Sequence, residues 1–287
     1  MAHFASLPGP FIELLRAAPP FALAFSGGLD SRFLAHAAVL CGAKAHLYHI
    51  RGPHVPEAES ADAAAWAKER ELPFTAIDLD PLAVPEVRSG GKDRCYGCKR
   101  HLFQRLGEAA RADGFALLCD GSNASDQLAY RPGIRALQEL GVRSPLAEAG
   151  LDKAAVRRHA KATGMDRPDQ QARPCLLTRY AYGLAPDAVS LAALAAAEKA
   201  VGEILAEAVG QGLVPGPPDF RLRLVANAAH MGKTAHTLPF VPELHLSLAA
   251  PDALVAALAD AVEASGFARP ALAVVESLSG HYDRAQP

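Results

Sequence analysis

The chain has 287 residues, 50% of them hydrophobic and 21% charged, with a formal net charge of −2. That balance excludes a disordered chain and a broadly basic nucleic-acid binder, and it allows one large or two ordinary domains that bury roughly three quarters of the unfolded surface. The opening MAHFASLPGPFIELL lacks the basic start and long apolar core of a signal peptide. The Ala-rich run after Asp187 is interrupted by Glu198, Lys199, Glu203 and Glu207, so a cytoplasmic protein without a membrane span is expected.

In chain order, Phe21–Phe25 is an apolar run that reads as a buried strand. It leads into Ser26–Ser31, SGGLDS, and then Arg32–Cys41, where Phe33, Leu34, Ala37, Ala38 and Leu40 recur at helical spacing. Two glycines between a strand and a helix permit a tight turn and bring backbone amides up to a ligand. The helix N-terminus adds about half a positive charge, so the place suits an anion, most often phosphate. The spacing is not that of a Walker A loop, which is longer and carries a Lys before its Ser. A plain glycine turn is the alternative.

Ala45–Ile50 reads as the second strand, and Pro56–Leu72 as a helix with Ala63, Ala64, Trp66 and Ala67 available to its buried side. Phe74–Leu79 is the third strand. Lys99–Ala112 reads as a helix that follows the CYGC segment, and Phe115–Cys119 as a fourth strand ending in Asp120-Gly121. This alternation predicts an α/β fold, a parallel sheet with right-handed crossovers and helices on both faces. Ligands of such sheets bind at the carboxyl ends of the strands. SGGLDS and DGSNASD (Asp120–Asp126) both fall there, so they can face one crevice. Ile134–Leu140 and Lys153–Thr163 read as helices, and a proline-rich segment, Arg167–Pro174, leads to Cys175. Ala188–Val209 is the longest helical run. Pro215, Pro217 and Pro218 then break the chain. Beyond them lie strands at Phe220–Val225, near Leu244–Leu248 and at Ala271–Val275, with a helix at Asp252–Ala264, which together make a small α+β unit. The expected division is residues 1–185 as the sheet domain and 186–287 as the long helix with that smaller unit.

Cys41, Cys95, Cys98, Cys119 and Cys175 are an odd number of thiols, which argues against a disulfide framework in a reducing compartment. Cys41 and Cys119 lie in apolar runs and read as core residues. Cys95 and Cys98 form a CxxC among Arg94, Lys99, Arg100 and His101, a setting that favours thiolate. A lone CxxC reads as a zinc half-site, a redox pair or two incidental thiols, and no second CxxC completes a zinc ribbon. With Cys175, three candidate thiolate ligands remain. They suit an iron–sulfur cluster with one open iron, or a zinc site with an unnamed fourth ligand.

SGGLDS resembles the PP-loop of ATP pyrophosphatases, which cleave ATP to AMP and pyrophosphate and leave an adenylated substrate. DGSNASD resembles the DGTN-type loop that closes over the nucleotide in those enzymes. SGGLDS, CYGCK, DGSNASD, the run Arg131–Lys153, PCLLTR (Pro174–Arg179) and the AAE of Ala196–Glu198 occur in an order and at distances that resemble the LarE family, ATP-dependent sulfur transferases of nickel-pincer cofactor biosynthesis. The resemblance is strong from about residue 21 to 200 and weaker beyond. It implies adenylation of the carboxylates of pyridinium-3,5-biscarboxylic acid mononucleotide and their conversion to thiocarboxylates. It also implies ATP with magnesium near Asp30, held by Ser26, Gly27, Gly28, Ser31, Gly121, Ser122 and Asn123.

The family divides over its sulfur donor. In one form the cysteine matching Cys175 gives up its own sulfur and becomes dehydroalanine. In the other, three cysteines hold a [4Fe-4S] cluster. The sacrificial form does not need the CxxC, so its presence favours the cluster form, with Cys95, Cys98 and Cys175 as ligands. Glu198 matches a family acidic residue near the phosphate and metal, or is a solvated helix charge. Arg179 is placed to hold substrate phosphate, or to pair on the surface. Arg221 and Arg223, two apart on a predicted strand, share a face and match family arginines that bind phosphate; a solvent-facing edge is the alternative. The family's ARIE-like stretch is missing. Glu243–Leu248, ELHLSL, lacks its basic residue and places its acid elsewhere, so no contact carries over, and His230, His236 and His245 read as ordinary.

The resemblance further implies a small pyridinium mononucleotide as substrate, a sulfide-donor protein, and a homo-oligomer, hexameric in the family, with Ala188–Val209 as an interface face. No membrane partner is expected. A tRNA-thiolation enzyme also joins a PP-loop to three cysteines, but it would need a basic or cysteine-rich RNA-binding extension. An adenine-nucleotide-binding regulatory protein with structural zinc explains the loop and leaves PCLLTR without a reason.

Overall fold

The computed structural model describes residues 6–127, 132–216, 218–226, 238–278 and 281–284. Along the chain the elements are α1 (Gly9–Ala17), β1 (Phe21–Ala24), α2 (Leu29–Cys41), β2 (Ala45–Arg51), α3 (Glu57–Glu69) and β3 (Phe74–Asp78). They continue as α4 (Pro85–Arg88), α5 (Arg94–Ala112), β4 (Leu117–Cys119), α6 (Ala124–Gln127), α7 (Pro132–Glu139), α8 (Pro145–Glu148) and α9 (Lys153–Ala162). The remainder is α10 (Ala188–Gly210), β5 (Phe220–Ala226), β6 (Phe240–Leu246), α11 (Asp252–Ala264), β7 (Ala271–Val274) and α12 (His281–Arg284). No described helix is long and apolar enough to cross a membrane.

Two compact units result. The first comprises Met1–Val84 and Asp93–Arg173, the second Pro85–Lys92 and Pro174–Pro287. The first unit holds a four-stranded sheet in the order β3-β2-β1-β4, parallel throughout. β1 is central and apolar because both of its faces are covered. Phe21 and Leu23 enter the larger core with residues of α1, α2, α3 and α9, while Ala22 joins Tyr48, Leu106 and Ala110 on the other side. The expected α/β architecture is therefore observed. The second unit holds a separate sheet, β5-β6-β7, in which β5 and β6 are antiparallel and β6 and β7 parallel.

Two boundaries differ from the sequence reading in ways that matter for function. α2 begins at Leu29, because Gly28 takes an extended N-cap conformation (φ −74°, ψ 167°), so Asp30 and Ser31 lie in the first helical turn. CYGC is also helical. α5 starts at Arg94, and contacts with α7 override the weak helix propensity of Cys and Gly: Tyr96 donates to Glu139 at 2.6 Å, and the Arg135 guanidinium lies 3.9 Å from the Tyr96 ring centre.

A buried charge network stiffens the first unit. Arg32, in α2, is fully buried and donates to the Asp166 carboxylate at 2.6 Å, to the Asp166 carbonyl at 2.7 Å and to the Gln170 side-chain oxygen. Asp166 also accepts from the Trp66 indole at 2.9 Å and from Arg70 at 2.5 Å. Burial alone would push Asp166 up, but the Trp66 and Arg167 hydrogen bonds and the charges of Arg32 and Arg70 hold it down at about 2. An unfolded Asp titrates near 3.9. A depressed carboxyl contributes stability that is complete above the unfolded value and is lost as pH falls through the folded one. Asp166→Asn strands the buried Arg32 charge and is expected to destabilise the protein by on the order of 3 kcal/mol at pH 7. In urea titrations the gap to the wild type should narrow as pH drops from about 4 towards 2.

Candidate functional site

β1 and β4 are neighbours, and they lead into SGGLDS and DGSNASD respectively. The strand order reverses between them, which is where ligands of open parallel sheets bind. Gly27 has φ +73°, in the left-handed region that favours glycine, and a side chain there would come within 3.0 Å of Ala63 Cβ. The Ser26 hydroxyl accepts from the Gly28 amide at 3.3 Å and lies 3.2 Å from the Ser31 hydroxyl, which donates to the Gly28 carbonyl. The turn is thus tied to the start of α2, whose first amides have no acceptor within the helix.

The second loop lies against that same turn. A Cβ built on Gly121 would fall 2.8 Å from Ser31 N and 3.1 Å from Asp30 C, so the two loops meet backbone to backbone. Asp120, nearly buried, accepts from Ser144 Oγ at 2.6 Å and from the Ser122 hydroxyl and amide. Asn123 Oδ1 accepts from the Ser125 amide at 2.9 Å. Asp120, Ser122 and Asn123 therefore hold the loop's shape.

Asp30 has a split environment. Its Oδ2 accepts from Lys153 Nζ at 2.5 Å, while Oδ1 is buried with no hydrogen-bond partner. An orphaned buried carboxylate oxygen beside helix-end amides fits a hard divalent cation accompanied by phosphate. Lys153 has no functional role in the sequence reading, where it ends the middle block and opens a helix. Arg32, Asp166 and Gln170 are missed too, although Gln170 Nε2 donates to the Gly27 carbonyl at 3.5 Å and so braces the glycine turn from behind. His49 does the same for the end of β1, with Nδ1 2.8 Å from the Phe25 carbonyl and Nε2 2.9 Å from Ser60 Oγ. Burial pushes this imidazole down, so it is neutral at neutral pH.

All five cysteines are free thiols. Burial pushes Cys41 up and Cys119 up to about 12, as befits inert core thiols. Cys95 and Cys98, half-buried and buried, are three apart in the first turns of α5 and so share one side of that helix.

In the second unit Cys175, half-buried, precedes a short 3-10 turn, Leu176–Arg179, and its carbonyl accepts from the Thr178 amide and hydroxyl at 3.0 and 2.8 Å. Arg179 is buried and grips Glu198 with two parallel bonds, Nε to Oε1 at 2.6 Å and Nη2 to Oε2 at 2.9 Å. Glu198 Oε1 also accepts from the Leu222 amide at 3.1 Å. Both oxygens are therefore engaged, a donor set that does not fit magnesium while this fork is closed. Arg221 and Arg223 are buried on one face of β5. Arg221 donates to Asp219 at 2.5 Å. Arg223 donates to the carbonyls of Thr178, at 3.0 Å, and Leu278. Burial pushes Arg223 down to about 10, which leaves it charged at neutral pH. His230 and His236 lie outside the described residues.

No protein-family model matches the chain. An uncharacterized protein of Synechocystis is 36% identical over 162 residues, 56% of this chain and 60% of the relative. An uncharacterized protein of Methanocaldococcus jannaschii is 30% identical over 167 residues, again 56% and 60%. The chain thus spans three fifths of the length of these two relatives. The pyridinium-3,5-bisthiocarboxylic acid mononucleotide synthase of Lactiplantibacillus plantarum is 28% identical over 201 residues, 69% of this chain and 73% of that enzyme. The resemblance carried by SGGLDS, CYGCK, DGSNASD and PCLLTR is matched by this relationship, and the chain is a homologue of that LarE-family synthase.

Proposed function

We propose that the protein is a sulfur transferase that uses ATP to adenylate the carboxylates of pyridinium-3,5-biscarboxylic acid mononucleotide and converts them to thiocarboxylates. The observation that carries this reading is the contact of Gly121 with the first turn of α2, in a chain related to a synthase of the corresponding bisthiocarboxylic acid. A carboxylate at neutral pH is a poor electrophile. Attack of its oxygen on the α-phosphorus of ATP forms an acyl-adenylate and expels pyrophosphate. Attack of a sulfur nucleophile on the acyl carbon then forms the C–S bond and expels AMP.

The chain's own residues have separable tasks. The amides after Gly28 receive the pyrophosphate end and offset its charge as it leaves. Asp30 would hold magnesium through its unpartnered oxygen, and Lys153 fixes the carboxylate. In the second unit Glu198 orients Arg179, and Arg179, Arg221 and Arg223 are the contacts for substrate phosphate. Cys95, Cys98 and Cys175 are the ligands we assign to a [4Fe-4S] cluster, which when bound would supply the sulfide to be transferred. The spacing of Cys95 and Cys98 on one side of α5 suits joint ligation.

Gly121→Ala forces two backbones apart, an overpacking cost of about 1–3 kcal/mol. Calorimetry with magnesium pyrophosphate should show affinity lowered about tenfold or more. Unchanged affinity would remove the pyrophosphate site from this turn. Protein purified without oxygen should carry iron and acid-labile sulfide near a four-iron stoichiometry, lost in Cys95→Ala, Cys98→Ala and Cys175→Ala alike. Zinc without iron refutes the cluster. Dehydroalanine at position 175 after turnover, seen by mass spectrometry, replaces the cluster with the sacrificial route. Pyrophosphate release that requires transfer RNA overturns the substrate.

A further inference from the structure

The second unit carries a cluster of donor side chains that the proposed reaction does not use. Glu243 and His245 are two apart on β6 and therefore share a face, and His281 opens α12. One donor atom from each of the three lies within 4.8 Å of the others. The Glu243 Oε2 to His245 Nε2 distance is 3.1 Å, and the rings of His245 and His281 meet edge to face with centroids 4.7 Å apart.

His245 is the informative member. It is 4% exposed, and its Nδ1 is buried with no hydrogen-bond partner. A buried imidazole whose nitrogen lacks a partner costs about 1–3 kcal/mol, so an ordinary core histidine is expected to satisfy both of its nitrogens. Glu243 is also placed oddly. It stands opposite Arg223 in the strand register, yet Arg223 sends its Nη groups to the Thr178 and Leu278 carbonyls and the carboxylate sits with His245 instead. Two imidazoles and a carboxylate are the donor set of a borderline divalent transition metal. At bond lengths of about 2.1 Å, tetrahedral ligand atoms stand about 3.4 Å apart, so binding requires these side chains to draw in by roughly 1 Å. Glu243, about one third exposed, leaves a side open to solvent for a fourth, exchangeable ligand.

We propose that Glu243, His245 and His281 bind a divalent transition-metal ion in a three-ligand site with one open position. The site is independent of the three cysteines and of the sulfur-transfer reading. It joins the middle strand of the small sheet to the last described helix. It also lies on the strand face that carries Arg221 and Arg223, since Arg221 pairs with His245 and Arg223 with Glu243 in the register.

The test uses full-length protein in which Cys95, Cys98 and Cys175 are Ser, stripped with a chelator and titrated with Co2+ under reducing conditions. One Co2+ per chain should bind with the intense visible d–d absorption of a four-coordinate site, and Zn2+ should displace it. His281→Asn, at a half-buried position, should keep the circular dichroism spectrum and lose at least about tenfold in affinity, with His245→Asn and Glu243→Gln weakened as well. Absence of saturable Co2+ binding overturns the proposal. So does binding that His281→Asn leaves unchanged, or an octahedral spectrum that magnesium competes away.

Discussion

The site in the first unit depends on a constraint of sheet winding. In a parallel sheet ordered β3-β2-β1-β4, connections leave the carboxyl ends of β1 and β4 in opposite directions, so the loops after those strands part and open a crevice. The rest of the unit keeps that crevice narrow. Gly121 must be glycine because any Cβ would enter the backbone of Ser31, and Gly27 must be glycine because its φ is positive and Ala63 lies above it. Two loops this close present their amides and carboxylates to the same small volume, which is the geometry that a polyphosphate and its metal require.

Behind the loops stands a support of unusual polarity. Arg32 has no exposure, and its neighbours Asp166, Gln170, Trp66 and Arg70 form a network in which each partner constrains another. Buried ion pairs add little net stability but impose strong geometric demands, because a misplaced partner leaves a charge in low dielectric. The network reaches the front of the site through Gln170 and the Gly27 carbonyl. The glycine turn is therefore held from behind by polar side chains rather than by apolar packing alone.

Much of this was legible in the sequence, for physical reasons that differ from residue to residue. Phe21–Ala24 announced itself because a central parallel strand is apolar on both faces, and SGGLDS because strand, glycines and helix each leave a local mark. The convergence of SGGLDS and DGSNASD followed from strand-helix alternation. Asp166 and Gln170 could not be read, since they sit in an irregular proline-rich stretch and act on residues more than 130 positions away. The helical state of CYGC was hidden because propensity disfavours it and contacts from Arg135 and Glu139 decide it. The sequence points to a strand near Leu244 rather than from Phe240 because Pro242 argues against a central strand. It is tolerated there because the β7 ladder starts only at Glu243, so the missing amide faces no partner on that side. Arg179 and Glu198 each admit a surface-charge reading, and only the fold shows that they bury one another.

The chain passes between its two units three times, after Val84, after Lys92 and after Arg173. The short excursion Pro85–Lys92 is knitted firmly into the second unit: Gly183 donates to the Gly90 carbonyl at 2.9 Å, and a side chain on Gly90 would collide with the Leu184 backbone. No single cut can therefore release the second unit intact. During synthesis the excursion emerges about ninety residues ahead of the partners it must join, so the second unit cannot close around it until all of the first unit's chain has been made. Cys95 and Cys175 are the third and second residues after the second and third passages, so two thiols of the proposed chemistry stand within three residues of a point where the backbone changes unit.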